Sequence, residues 1–164
     1  MDEGRGCCWA TGILTIVMLL SGTTAAVAED RHVGYYYPPP QSVETYPARV
    51  ETLPDSNRSR RIGFVVQITR QMLERPYPPD YAIFAKGEEA EKMLIVALRD
   101  DVIDNIYRAR ALLAMLTGIA RATPLFQQYG TAEYLTFFDL LQILGFDQMT
   151  ISDGESFTHQ VMIE

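Results

Sequence analysis

The sequence predicts an α+β domain: an antiparallel sheet of about four strands in two hairpins, packed against about three helices and preceded by an irregular Tyr/Pro-rich arm. Three observations carry this. Apolar residues switch between period 2 and period 3.6 along the chain. Two strand-like stretches are each split by a turn signal. The apolar share, 48% with 21% charged, is that of a globular chain. At 164 residues a single domain is expected, giving three parts: residues 1–28, 29–60 and 61–164.

The first part reads as an address. Gly6 to Ala28 is an uncharged run of 23 residues whose apolar centre spans Trp9 to Leu20. That centre has the length of a signal-peptide core, and Ala26-Val27-Ala28 supplies a small-x-small cleavage site. The expectation is a secretory signal over residues 1–28, cut before Glu29, with an uncleaved membrane anchor as the alternative. Both cysteines, Cys7 and Cys8, fall in this leader, so the following 136 residues contain no thiol. Such a product suits an oxidising compartment, here the periplasm, without disulfides or thiolate chemistry.

Residues 29–60 read as an extended arm. Tyr35-Tyr36-Tyr37-Pro38-Pro39-Pro40 cannot be helical, because proline lacks the amide donor and holds its predecessor extended. These six residues are the candidate partner-binding segment, as a polyproline II ligand or as an aromatic platform for a sugar or peptide; the alternatives are a stiff spacer and tyrosines that pin the arm to the domain surface. Pro47, Pro54 and the polar run Asp55 to Arg61 continue the irregular character. Arg58, Arg60 and Arg61 read as a solvated basic run, with an anionic lipid head or a partner as the alternative.

The domain follows. Over residues 62–75, Ile62, Phe64, Val66 and Ile68 alternate as in a strand, but Phe64, Val65, Ile68 and Met72 make a helical stripe. The helix formers from Arg70 to Arg75 and the stop at Pro76 favour helix. Tyr81 to Lys86 and Met93 to Leu98 form a hairpin around the polar turn Gly87 to Glu91, the second strand lying in the sheet interior. Asp100 or Asp101 caps the longest helix, about residues 101–122, although Val102 to Tyr107 also fits a strand. Thr131 caps a helix over residues 132–144 that is apolar on most sides, with Gly145 at its left-handed end and Phe146 folding back on Leu141. Met149 to Ser152 and Phe157 to Ile163 make the second hairpin, turned at Asp153-Gly154.

Charge and chemistry exclude more than they assign. A formal net charge of −7 argues against a nucleic-acid binder, which needs a basic face for phosphate. His32 and His159 are the two histidines, neither at metal-ligand spacing, so no metal or other cofactor is expected. His159 falls in phase with Phe157 and Val161. Asp153, Ser156 and His159 are close in sequence, but no G-x-S-x-G elbow accompanies them, and hairpin chemistry explains them better than catalysis. The acidic clusters Glu88-Glu89-Glu91 and Asp100-Asp101-Asp104 fit turn solubility and helix capping. No catalytic residue is nominated. The expected function is that of an exported accessory or interaction protein, its partner an envelope protein or a small ligand. An envelope hydrolase with an unrecognised site is the alternative. Membrane contact would run only through an uncleaved leader.

Several blocks carry a resemblance. V-G-Y-Y-Y-P-P-P at 33–40, E-R-P-Y-P-P at 74–79, A-I-F-A-K-G at 82–87, I-Y-R-A-R-A-L-L-A-M-L at 106–116, F-F-D-L-L at 137–141 and I-S-D-G at 151–154 resemble a family of small exported bacterial proteins of uncertain function. Some members carry the label molybdopterin-guanine dinucleotide biosynthesis protein A. The resemblance implies export and, through that label, an accessory part in molybdopterin-cofactor synthesis. The nucleotidyltransferase of that name cradles phosphates on a Gly-rich loop. No such loop occurs here, so no active-site residue transfers.

Overall fold

A computed structural model describes residues 37–122 and 133–164. The leader expected over residues 1–28, and Tyr35, Tyr36, His32 and Thr131, lie outside the described residues. The elements run β1 (Ser42–Tyr46), α1 (Arg58–Leu73), β2 (Tyr81–Lys86), β3 (Lys92–Ala97), α2 (Ile106–Arg121), α3 (Phe137–Ile143), β4 (Gln148–Ser152) and β5 (Thr158–Ile163). The class is α+β.

The sheet is five-stranded and mixed, in the order β1-β5-β4-β3-β2. This corrects the expected four antiparallel strands. Both hairpins are present, β2 with β3 and β4 with β5. The parallel pairs are what the sequence did not announce: β3 beside β4, and β1 beside β5. A parallel pair needs a long crossover instead of a tight turn, so it leaves no local signal. The arm is corrected with it, because Ser42–Tyr46 is a strand of the sheet and not an irregular tether.

Alternation along each strand divides the sheet into two faces. One carries the row Ile83, Ile95, Ile151, His159, Ser42 and the row Ala85, Met93, Met149, Val161, Glu44. Its apolar members share one core cluster with Val65 and Met72 of α1, Leu112, Leu113 and Leu116 of α2, and Phe137, Leu140 and Leu141 of α3. Each fully buried aliphatic side chain contributes about 1.5–3 kcal/mol, which makes this face the main source of stability. Leu94, Thr150, Ser152 and Thr158 are buried on the opposite face, where Thr158 Oγ1 lies 3.0 Å from Ser152 Oγ.

The helices start and stop for local reasons. The helical choice for residues 62–75 holds, with α1 displaced to Arg58–Leu73 because Asn57 caps it by accepting from the Arg60 amide at 3.0 Å. Val65 and Met72 are buried while Val66 is half exposed, as a helical stripe requires and a strand does not. Starting at residue 58 also turns Arg61 inward. The second helix begins at Ile106, not residue 101. Asn105 Oδ1 accepts from the Tyr107 and Arg108 amides, both at 3.0 Å, and Asp101 is in the left-handed region at φ 65°. Asp100 and Asp101 are therefore not the caps. Tyr107, in the first turn of this helix, is exposed.

In α3 the cap is Thr136, in a capping box with Asp139. The far end closes as expected: Gly145 has φ 78°, its amide bonds Gln142 O at 2.9 Å, and the Phe146 amide bonds Leu141 O at 2.9 Å. The last hairpin departs from the expected two-residue turn. Its strands pair up to Ser152 and Thr158, because Asp153 Oδ1 collects the Glu155, Ser156 and Phe157 amides at 2.8–2.9 Å and opens a five-residue loop.

Candidate functional site

The row Ile83, Ile95, Ile151 turns polar at His159 and ends on Ser42. His159 lies beside Ile151 and is 1% exposed. The parallel register of β1 on β5 sets Ser42 directly beside it and Glu44 beside Val161, one row further along. Ser42 Oγ lies 2.7 Å from His159 Nδ1. Glu44 Oε2 lies 3.9 Å from Nε2, beyond hydrogen-bond reach. Arg110 reaches over from α2, its Nη2 2.9 Å from Glu44 Oε1.

Burial pushes the His159 imidazole below the usual histidine range; Glu44 works against that shift and Arg110 with it. The ring is neutral at neutral pH and carries one proton between two nitrogens. A carboxylate facing Nε2 favours the proton there, and in that tautomer the Ser42 hydroxyl donates to Nδ1.

Beside this group, between β1 and helices α2 and α3, lies a cleft of about 260 Å³. Glu44, Arg110 and His159 stand at one end, and Leu113, Val161, Phe138, Tyr46 and Thr45 make the rest of its wall. The Tyr46 and Phe138 rings pack with centroids 4.7 Å apart. Tyr46 is fixed from behind, its hydroxyl 3.0 Å from Asp139 Oδ2 and 2.9 Å from Thr136 Oγ1. Burial raises the Tyr46 pKa. Asp139, fully buried, also accepts the Arg49 amide at 2.9 Å and the Thr136 amide at 2.7 Å. The cleft therefore has a rigid apolar body and a charged mouth. Ser42 is not among its walls.

The structure distributes the other candidates widely. Tyr37 is buried, with its hydroxyl 3.1 Å from Lys86 Nζ and its ring 4.7 Å from that ammonium, so it pins the arm to the sheet. Pro38 and Pro40 are half-buried and Pro39 exposed. Asp153 and Ser156 bond each other at 2.8 Å within their turn, while His159 turns to Ser42 instead. Partial burial raises the Asp153 carboxyl, but the Phe157, Glu155 and Ser156 amides and the Ser156 hydroxyl outweigh it and hold the group below the usual range. Arg61, read as solvated, is 7% exposed, and its guanidinium donates to Glu89 O at 2.8 and 3.0 Å and to Gly145 O at 3.2 Å. Arg60 pairs with Asp55. Glu91 folds over its own turn onto the Glu89 amide at 2.9 Å, and Asp104 pairs with Arg108 at 3.3 Å. Among the described residues no group of three or more His, Cys, Asp or Glu side chains is placed to hold a metal. No helix of the described residues is long and apolar enough to cross a membrane.

Ser42, Glu44 and Arg110 were not singled out by sequence. The signal that existed was His159, polar at a position whose phase matched Phe157 and Val161. No family model, curated protein or solved structure matches this chain.

Proposed function

We propose that this chain is an exported accessory protein that recognises a partner at the β1 edge of its sheet. One observation carries the reading. Among the described residues β1 pairs on one side only, with β5, and its central Val43 side chain is 60% exposed on the sheet face opposite Ser42 and Glu44. An edge strand presents alternate amides and carbonyls away from its neighbour, and an extended peptide adds to such an edge by main-chain hydrogen bonding. Export is supported by the uncharged run Gly6 to Ala28, the Ala26-Val27-Ala28 site and the thiol-free remainder.

The test places a photoreactive amino acid at Val43 in intact cells, with the exposed turn residue Glu88 as control position. A discrete adduct at 43 and none at 88 is expected, together with a mature amino terminus at Glu29 by mass spectrometry. Equal labelling at both positions, or full-length protein in the cytosol, overturns the reading.

The 2.7 Å contact between Ser42 and His159 favours a second reading, an envelope hydrolase. Two features weaken it: Ser42 does not line the cleft, and Glu44 is engaged by Arg110 instead of orienting the imidazole. A fluorophosphonate probe decides. Labelling that disappears in Ser42→Ala would replace the binding reading with the hydrolase.

A further inference from the structure

We infer that the cleft beside β1 is a receptor site for a carboxylate bearing a short aliphatic group, and that Glu44 is its resident, exchangeable occupant. Two cationic or donor groups converge on one carboxylate there. Arg110 Nη2 holds Glu44 Oε1 at 2.9 Å, and His159 Nε2 points at Glu44 Oε2 across 3.9 Å without a hydrogen bond. That nitrogen lines the cleft, belongs to a side chain 1% exposed, and stands too far from the Glu44 carboxylate for a hydrogen bond, so a carboxylate seated deeper in the cleft would reach it. The Glu44 and Arg110 side chains are 49% and 59% exposed, so their pairing is weak and Glu44 can swing to solvent.

A carboxylate entering in its place would meet the guanidinium and the imidazole N–H together. Its aliphatic part would lie on Leu113, Val161 and the Phe138 ring. The volume of about 260 Å³ is below that of drug-sized sites, which limits the aliphatic part to a few carbons. With Glu44 displaced, the mouth keeps the positive charge of Arg110, so an amine is a poor occupant. The inference rests on the binding reading of this site, but its test involves neither a partner protein nor export and therefore fails separately.

The experiment titrates hexanoate, hexylamine and hexanol into the purified mature protein, following the His159 ring nitrogens by NMR. Hexanoate is expected to saturate and the other two are not. Glu44→Ala removes the competitor and is expected to tighten hexanoate about fivefold, the worth of an exposed ion pair. Arg110→Met is expected to weaken it tenfold or more; both side chains are exposed, so both variants keep the fold. A peptide ending in leucine, free or amidated, separates the sources. Peptide binding that is tighter than hexanoate and lost on amidation assigns a polypeptide C terminus; hexanoate as tight as the peptide assigns a free acid. Hexylamine binding equal to hexanoate, unchanged or weaker hexanoate binding in Glu44→Ala, or no saturable shift at tens of millimolar overturns the inference.

Discussion

The two edges of the sheet are built in opposite ways. The β2 edge arises from a local hairpin: Tyr81–Lys86 turns through Gly87, at φ 92°, and Ala90, at φ 58°, into its antiparallel partner. It is blunted by Lys86, which sits on Tyr37 and lies opposite Lys92. The β1 edge pairs across almost the whole chain, its Ser42–His159 contact spanning 117 positions. It is closed at its far end by Ala48 N to Glu164 O at 2.6 Å and Glu164 N to Tyr46 O at 3.1 Å. An edge made by a turn carries its own instructions, whereas an edge made by long-range pairing depends on side chains that meet only after folding. The cleft belongs to the second kind.

Each half of the sheet is also tied by one buried polar side chain, Arg61 on one side and Asp139 on the other. Arg61 joins α1 to the β2–β3 turn and to the end of α3 through carbonyls. Asp139 joins α3 to the segment after β1 through Tyr46 and the Arg49 amide. Removing Arg61 is the largest expected effect. Arg61→Ala should lower stability by about 3 kcal/mol in denaturant melts, because a buried guanidinium and its hydrogen bonds to the Glu89 and Gly145 carbonyls are lost. Arg61→Lys should recover less than half, since a point charge cannot reproduce the fork. Hydrogen exchange should quicken over residues 87–91 and not over 42–46. Full recovery by lysine would reduce Arg61 to a simple charge effect.

Asp139→Ala is the counterpart for the β1 side. A loss of about 2 kcal/mol is expected, with faster exchange over residues 46–53 and little change in the β2–β3 hairpin. Uniform loosening of both halves would erase the distinction between the edges.

The pH response sharpens the comparison further. The His159 pKa is lowered in the folded chain, chiefly by burial. The unfolded chain therefore takes up the proton first. This group's contribution to stability is intact above the ordinary histidine value of about 6.5 and is lost as pH falls through the lower folded value. Melting temperature should drop between pH 7 and about pH 5, and His159→Gln should flatten that drop. Loosening on acidification should begin at residues 42–46 and leave residues 81–86 protected. Asp153, also held low, loses its contribution on further acidification, so the two effects separate. The smallest effect is expected at Arg99, whose 2.8 Å pair with Asp80 is more than half exposed on both sides. Arg99→Ala should change stability by less than about 0.5 kcal/mol.

What could be read beforehand follows the same division. Tyr81–Lys86 was legible to the residue, because alternation and a polar turn act within a few positions. The Gly145 end of α3 was legible too, since a left-handed position after an apolar helix calls for glycine. The caps were misplaced where several polar residues competed: Asn105 took the place offered to Asp100 and Asp101, and Thr136 serves as the cap. β1 was missed because S-V-E-T-Y has one strongly apolar residue, and that residue faces solvent. With β1 went the neighbours of His159, so the histidine was noticed without its Ser42, Glu44 and Arg110.

By itself the amino-acid order determined the α+β class, both hairpins, the helical character of three segments and the absence of thiols after Cys8. Each depends on periodicity, turn chemistry or composition, which operate over a handful of neighbouring residues. Tertiary structure alone decided the parallel joins, the burial of Arg61 and Asp139, and the meeting of Glu44, Arg110 and His159 at one cleft. Those depend on which distant strands lie side by side, and that choice is made by burial of the whole core at once.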